Sequence, residues 1–108
     1  MASFDDYLEE LKTGLKELAR NTLKGFEKQA TEDGRAFIEE TKEDLQRWTS
    51  RLAKGELSKE DFEDLVLGQK ELAKLVALKE AELARKRIQD FRNALVNLVI
   101  DTAIKVFI

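Results

Sequence analysis

Large apolar residues recur every eleven positions through the first half of the chain: Phe4, Leu15, Phe26, Phe37 and Trp48. Leu8, Ala19, Ala30, Thr41 and Leu52 repeat in the same register, and Ser3, Gly14, Gly25 and Ala36 form a line of small residues beside them. The second half keeps the period through Phe62, Ala73, Ala84, Leu95 and Val106, and again through Val66, Ala77, Ile88 and Val99. Eleven residues over three turns is about 3.67 per turn, close to the natural helical period, so such a helix runs straight or winds slightly right-handed. No proline interrupts the pattern. The chain reads as all-α.

Helix ends are marked by local chemistry. Ser3 can cap a first helix, with Asp5 and Asp6 in the first turn where the helix dipole favours acids. Lys54-Gly55 reads as a stop, with glycine free to take the left-handed conformation. Ser58 followed by Asp61 is a capping-box variant, with Leu57 and Phe62 placed as a hydrophobic staple. These signals give one domain over residues 1–108, with a helix over about 4–53, a loop over about 54–57 and a helix over about 59–107. Each helix would be about 75 Å long. The Thr31-Glu32-Asp33-Gly34 stretch is the place where the first helix could break to give three helices, although the apolar phase runs through it.

Amphipathic eleven-residue repeats of this kind are similar in pattern to those of apolipoprotein-type lipid-binding helices and of desiccation-linked proteins. The similarity is one of pattern and carries over no functional residue. In the hairpin reading, the Phe4, Leu15, Phe26, Phe37 and Trp48 line supplies the intra-hairpin packing. Several polar residues interrupt the apolar faces: Thr22, Asp33 and Asp44 on the Leu11 line, and Gln69, Glu80 and Arg87 in the second half. A dry core would not hold them unpaired.

An isolated two-helix hairpin has no third layer to cover it. Val96, Ile100, Ile104 and Phe107 form a second apolar face near the C-terminal end, and burying each is worth about 1.5–3 kcal/mol. These four residues are the expected oligomer interface, and a homodimer forming a four-helix bundle is the expected assembly.

In a full-length hairpin, facing residue numbers sum to about 111. That register gathers Lys12, Lys16, Arg20, Lys24, Lys28, Arg85, Lys86, Arg87 and Arg92 against Glu17, Glu27 and Asp90, nine bases to three acids, a belt of net +6. The loop-side residues 29–82 have nine bases and fourteen acids, and the opposite tip has one base and five acids. A net charge of −3 therefore conceals a basic belt between acidic ends. Local i,i+3 and i,i+4 pairs such as Glu17–Arg20 and Glu43–Arg47 would neutralise part of it. What remains could meet a protein partner or the acidic end of a second copy. A less favoured reading is an anionic lipid surface. The belt lacks the interleaved Trp or Tyr of a nucleic-acid stacking platform, so no nucleic acid is expected.

The chain has no histidine and no cysteine. Disulfides, thiolate nucleophiles, cysteine-based zinc sites and the usual general base are excluded by composition. A calcium loop built on Asp33, Gly34 and Glu40 would put Gln29 and Thr31 where acids are needed. Adjacent pairs such as Glu9-Glu10 and Glu39-Glu40 diverge by about 100° around a helix. No catalytic residue, metal site or cofactor is expected, and the lone Tyr7 and Trp48 read as packing residues. The acidic N-terminus has no apolar run behind it, so a cytoplasmic location is the default. The expected function is noncatalytic: a helical self-association or protein-interaction module, of the kind that serves as a subunit of a larger assembly. The alternative is a peripheral lipid-surface protein.

Overall fold

The computed structural model describes residues 3–108, and all of its regular elements are helical. They are α1 (Phe4–Thr22), α2 (Glu27–Ala53), α3 (Lys59–Leu67), a single 3-10 turn (Lys70–Ala73), α4 (Val76–Glu80) and α5 (Arg85–Phe107). No helix is long and apolar enough to cross a membrane among the described residues.

Three of the four expected ends are built by the residues the sequence indicates. Ser3 Oγ accepts the Asp6 N–H at 3.2 Å while Asp6 Oδ2 accepts the Ser3 N–H at 3.0 Å, a complete capping box. At the end of α2, Gly55 takes φ +75°, its N–H reaches the Leu52 carbonyl, and the Glu56 N–H reaches Arg51. Those paired bonds form a Schellman motif. Ser58 Oγ accepts the Asp61 N–H at 3.1 Å, and the staple residues Leu57 and Phe62 are both buried.

The expected continuous helices over 4–53 and 59–107 do not form. The first is divided at residues 23–26, not at Gly34, which lies inside α2. Gly25 takes φ +94°, its N–H donates to Glu27 Oε1 at 2.9 Å, and the Phe26 N–H bonds the Leu23 carbonyl at 2.8 Å. Gly25 is thus a turn residue and not a member of a packed small-residue line. The second helix is divided between Gly68 and Ala84. There Leu75 and Glu82 take positive φ values of 33° and 60°, each costing about 1–3 kcal/mol for a non-glycine residue.

These breaks fold a 75 Å rod into a body with principal extents of 42 × 23 × 18 Å. Four legs run up, down, up and down: α1, α2, the broken leg from α3 to α4, and α5. The hairpin register nevertheless survives within it. Leu98 packs on Gly14, Lys105 pairs with Glu10 at 3.1 Å, and Arg87 lies 5.4 Å over the Phe26 ring. Lys74 pairs with Glu40 at 3.1 Å and the Ala77 N–H reaches Asp33. Every one of these pairs has numbers summing close to the expected value of about 111.

That folding changes where the association residues lie. Val96 and Ile100 are each 3% exposed, and Ile104 and Phe107 are half-buried against the same core. The face assigned to a partner is mostly consumed within the chain, because α5 has α1, α2 and α3 as neighbours instead of one helix. The eleven-residue line divides similarly: Leu15, Phe37 and Trp48 are buried, while Phe4 and Phe26 are partly buried at its edge. Tyr7 anchors the α1–α5 seam. Its hydroxyl donates to the Val99 carbonyl at 2.9 Å, its ring lies 5.6 Å from Phe107 and 5.8 Å from Phe4, and burial pushes its phenol above the ordinary range.

Two glycines mark close helix approach, with unequal tolerance. A Cβ on Gly14 would meet one terminal methyl of Leu98 at 2.7 Å, whereas a Cβ on Gly34 would strike Leu15 at both methyls and at Cγ, the last at 3.1 Å. A single methyl can rotate away, but a whole isobutyl group in a packed seam cannot. Gly34→Ala should lower stability by about 1–3 kcal/mol through overpacking, even after its helix-propensity gain of about 1 kcal/mol. Gly14→Ala should be close to neutral. Urea denaturation of both variants checks the order.

Candidate interaction surfaces

The register that pairs α1 with α5 places eight of the nine belt residues in the half of the molecule holding the 23–26 turn, with Lys12 at the middle of α1. They split into two groups. Lys12, Lys16 and Lys28 line the α1–α2 side together with Arg35, in depressions that Glu27, Glu32 and Glu39 also line. Arg85, Lys86 and Arg92 line an open groove at the α4–α5 junction with Lys79, Leu83, Ile88 and Gln89. Arg20 and Lys24 are exposed at the turn, and Arg87 stacks on Phe26, an exposed cation–π contact worth about 0.5–1 kcal/mol. Arg35 and Lys79 lie outside the zone that the linear register defines.

Ion pairing relieves little of this charge. The expected Glu17–Arg20 and Glu43–Arg47 pairs are not formed; Asp44–Arg47 at 2.7 Å and Lys86–Asp90 at 3.2 Å are. Among the described residues, Lys86 is the one belt residue in a salt bridge. The α4–α5 groove has no acid in its lining. Its electrostatics are adverse at the helix end as well. Arg85, Lys86 and Arg87 form the first turn of α5, which has neither an acid nor a side-chain cap. A helix N-terminus carries a partial positive charge and favours anions, so three cations there repel it. Arg92 Nε is buried without a partner, although its Nη1 donates to Gln89 Oε1 at 3.0 Å.

The polar residues that interrupt the apolar faces are accommodated in different ways. Thr22 is exposed and its hydroxyl bonds back to the Leu18 carbonyl. Asp44 is half-buried in its pair with Arg47, Gln69 Nε2 reaches the Leu65 carbonyl at 3.3 Å, and Glu80 and Arg87 are exposed. Asp33 is buried, and its carboxylate accepts the N–H groups of Ala77 at 2.9 Å and Leu78 at 2.8 Å. Those are the second and third residues of α4, whose own cap position, Leu75, has no capping side chain. A residue of α2 thus caps a helix in another leg.

The second depression of note lies between α2 and α4, with a volume of about 200 Å³. Glu32, Asp33, Glu40, Glu71 and Glu80 line it, with Lys74 as the opposing charge. Glu71 Oε2 is buried there without a partner. Among the described residues, no group of three or more acids is arranged to hold a metal ion.

At the 23–26 turn, the Gly25 N–H, then the Glu27 N–H, and finally the charges of Lys24 and Arg20 hold the exposed Glu27 carboxyl below the usual carboxylate range. A lowered value means that the turn gains from ionised Glu27 above the ordinary glutamate pKa and loses that gain as pH falls through the lowered one. An NMR titration should place the Glu27 midpoint below that of a model glutamate and show the Gly25 amide moving with it.

No known protein family, curated protein or solved structure matches this chain.

Proposed function

We propose that the chain is a noncatalytic helical interaction module, and that the groove at the start of α5 is the face by which it recognises an acidic protein surface. One observation carries the reading. Arg85, Lys86 and Arg87 crowd an uncapped helix N-terminus, with Lys86 alone paired, to Asp90, beside a groove to which Lys79 and Arg92 add positive charge and whose lining holds no acid. This arrangement is unfavourable in the free molecule and is relieved by a polyanionic partner. The partner is a protein surface, including the acidic end of a second copy. Self-association of this kind does not require the apolar residues that the fold has buried.

The test is binding of poly-L-glutamate, followed by calorimetry at low and physiological salt. Binding should weaken with salt. Arg85→Glu with Lys86→Glu should weaken it by about tenfold or more, whereas Lys54→Glu with Lys59→Glu, at the opposite end, should change it little. Equal losses from the two pairs would contradict the assignment.

A lipid surface is the second reading, favoured by the partly buried Leu83 lying among the cations of the groove. Co-flotation with phosphatidylserine vesicles that is abolished by Arg85→Glu with Lys86→Glu would support it. Failure to float would remove it.

A further inference from the structure

We propose that the closed molecule exchanges with a domain-swapped dimer, in which α1 leaves its own bundle and docks in that of a second copy. The proposal goes beyond the acidic-partner reading, because it uses the apolar α1 seam and not the groove at the start of α5. Residues 23–26 are the only hinge it needs. The apolar phase of the sequence runs through them without a shift, from Leu15 to Phe26 to Phe37. A straight helix over residues 4–53 therefore keeps the packing faces of α1 and α2 in register.

What holds the hinge bent is local: the Gly25 N–H on Glu27, the Phe26 N–H on the Leu23 carbonyl, and Arg87 over the Phe26 ring. Gly25 sits at φ +94° with open space where a side chain would be, and Phe26, the residue before α2, has no side-chain cap. When the hinge straightens, α1 gives up three sets of contacts: Leu15 on Gly34, Gly14 on Leu98, and Tyr7 with Glu10 on α5. A second open copy, turned end for end, offers the same residues in the same order. The exchange is isologous and closes at two chains. Asp33 and α4 are untouched, because both stay within one chain.

Gly25 supplies the lever. Alanine tolerates the straight helix and resists positive φ, whereas asparagine accepts the left-handed conformation. Gly25→Ala should raise the dimerisation constant at least tenfold, and Gly25→Asn, which tolerates positive φ better, should raise it less, both read by light scattering from 10 to 500 μM, on the order of a 50-fold range that spans typical weak affinities. The chain has no cysteine, so single thiols can be placed at will. Glu10→Cys and Lys105→Cys, each in the Gly25→Ala background, are mixed, refolded together and treated with a short bis-maleimide.

Residues 10 and 105 are salt-bridged neighbours in the closed form, and in the swap they become neighbours across chains. A dimer that cross-links between the two variants supports the swap. A dimer that does not cross-link overturns it while leaving self-association standing. A Gly25→Ala chain that stays monomeric to the highest concentration overturns both the swap and self-association through α1, and leaves the acidic-partner reading to its own assay. Loss of helical signal in Gly25→Ala also overturns the swap, because a continuous helix through residues 23–26 is what it requires.

Discussion

Ile100→Glu is expected to unfold the chain at every concentration. In an extended hairpin this side chain would belong to an interface, and its replacement would cost an oligomer. In the folded-over molecule Ile100 is 3% exposed, with Val96, Val99 and Ala103 buried on the same helix. A carboxylate placed there has no partner, and an uncompensated buried charge costs about 3–5 kcal/mol, beyond the lost burial of the isoleucine, about 1.5–3 kcal/mol. A domain of this size has about 5–15 kcal/mol in all. The variant should therefore lose most of its helical circular dichroism at 5 °C and at micromolar concentration. The dependence on concentration is the discriminating feature. Folding that returns as the protein is concentrated would place Ile100 between chains instead of inside one.

Asp33→Ala has the second large effect, and it should be local before it is global. The carboxylate is the cap of α4, five residues long and preceded by a residue at positive φ. Removing it leaves the buried Leu78 N–H unpaired, at about 1–3 kcal/mol, and the half-buried Ala77 N–H with it. Isolated helices of this length have no stability of their own. Hydrogen exchange at Ala77 and Leu78 should accelerate by two orders of magnitude or more, about 2.7 kcal/mol or above, while the amides of Leu11 and Leu95 in the α1–α5 seam keep most of their protection. Asp33→Asn retains one acceptor in place and should fall between the two. Uniform acceleration across the molecule would mean that the segment from Lys70 to Glu80 and the bundle form one cooperative unit.

The contrast between these two residues shows which parts of the structure are written locally. Ser3, Gly55 and Ser58 act on amides within a few positions, and their caps form where the sequence indicates. The pairing register was equally legible, because a short loop at residues 54–58 fixes which residues face each other however the rod is later bent. The fold-over was not legible. At 23–26 it depends on one glycine whose place in an eleven-residue line of small residues fits a packed helix as well as a turn. At 68–84 it depends on Leu75 and Glu82 in left-handed conformations that neither residue favours, and on Asp33 reaching across from another leg. The expectation that a lone hairpin lacks a covering layer was sound physics. The layer is supplied by the chain itself, which is why Val96 and Ile100 lie inside while the cations of α5 lie outside. The belt was visible as a charge zone, but its division into two groups follows only from the fold-over.

The central claim is that α1 folds back along α2. The distance between residues 5 and 43 measures it directly. Both are exposed and suited to thiol-linked spin labels in a chain without cysteine. On one continuous helix they would lie about 57 Å apart. In the closed molecule they sit on adjacent antiparallel helices, which should hold the labels within about 20 Å of each other. Pulsed dipolar spectroscopy at low micromolar concentration, with doubly labelled protein diluted into unlabelled, should give a dominant distance near the shorter value. A dominant distance near 57 Å at that dilution would contradict the fold described here.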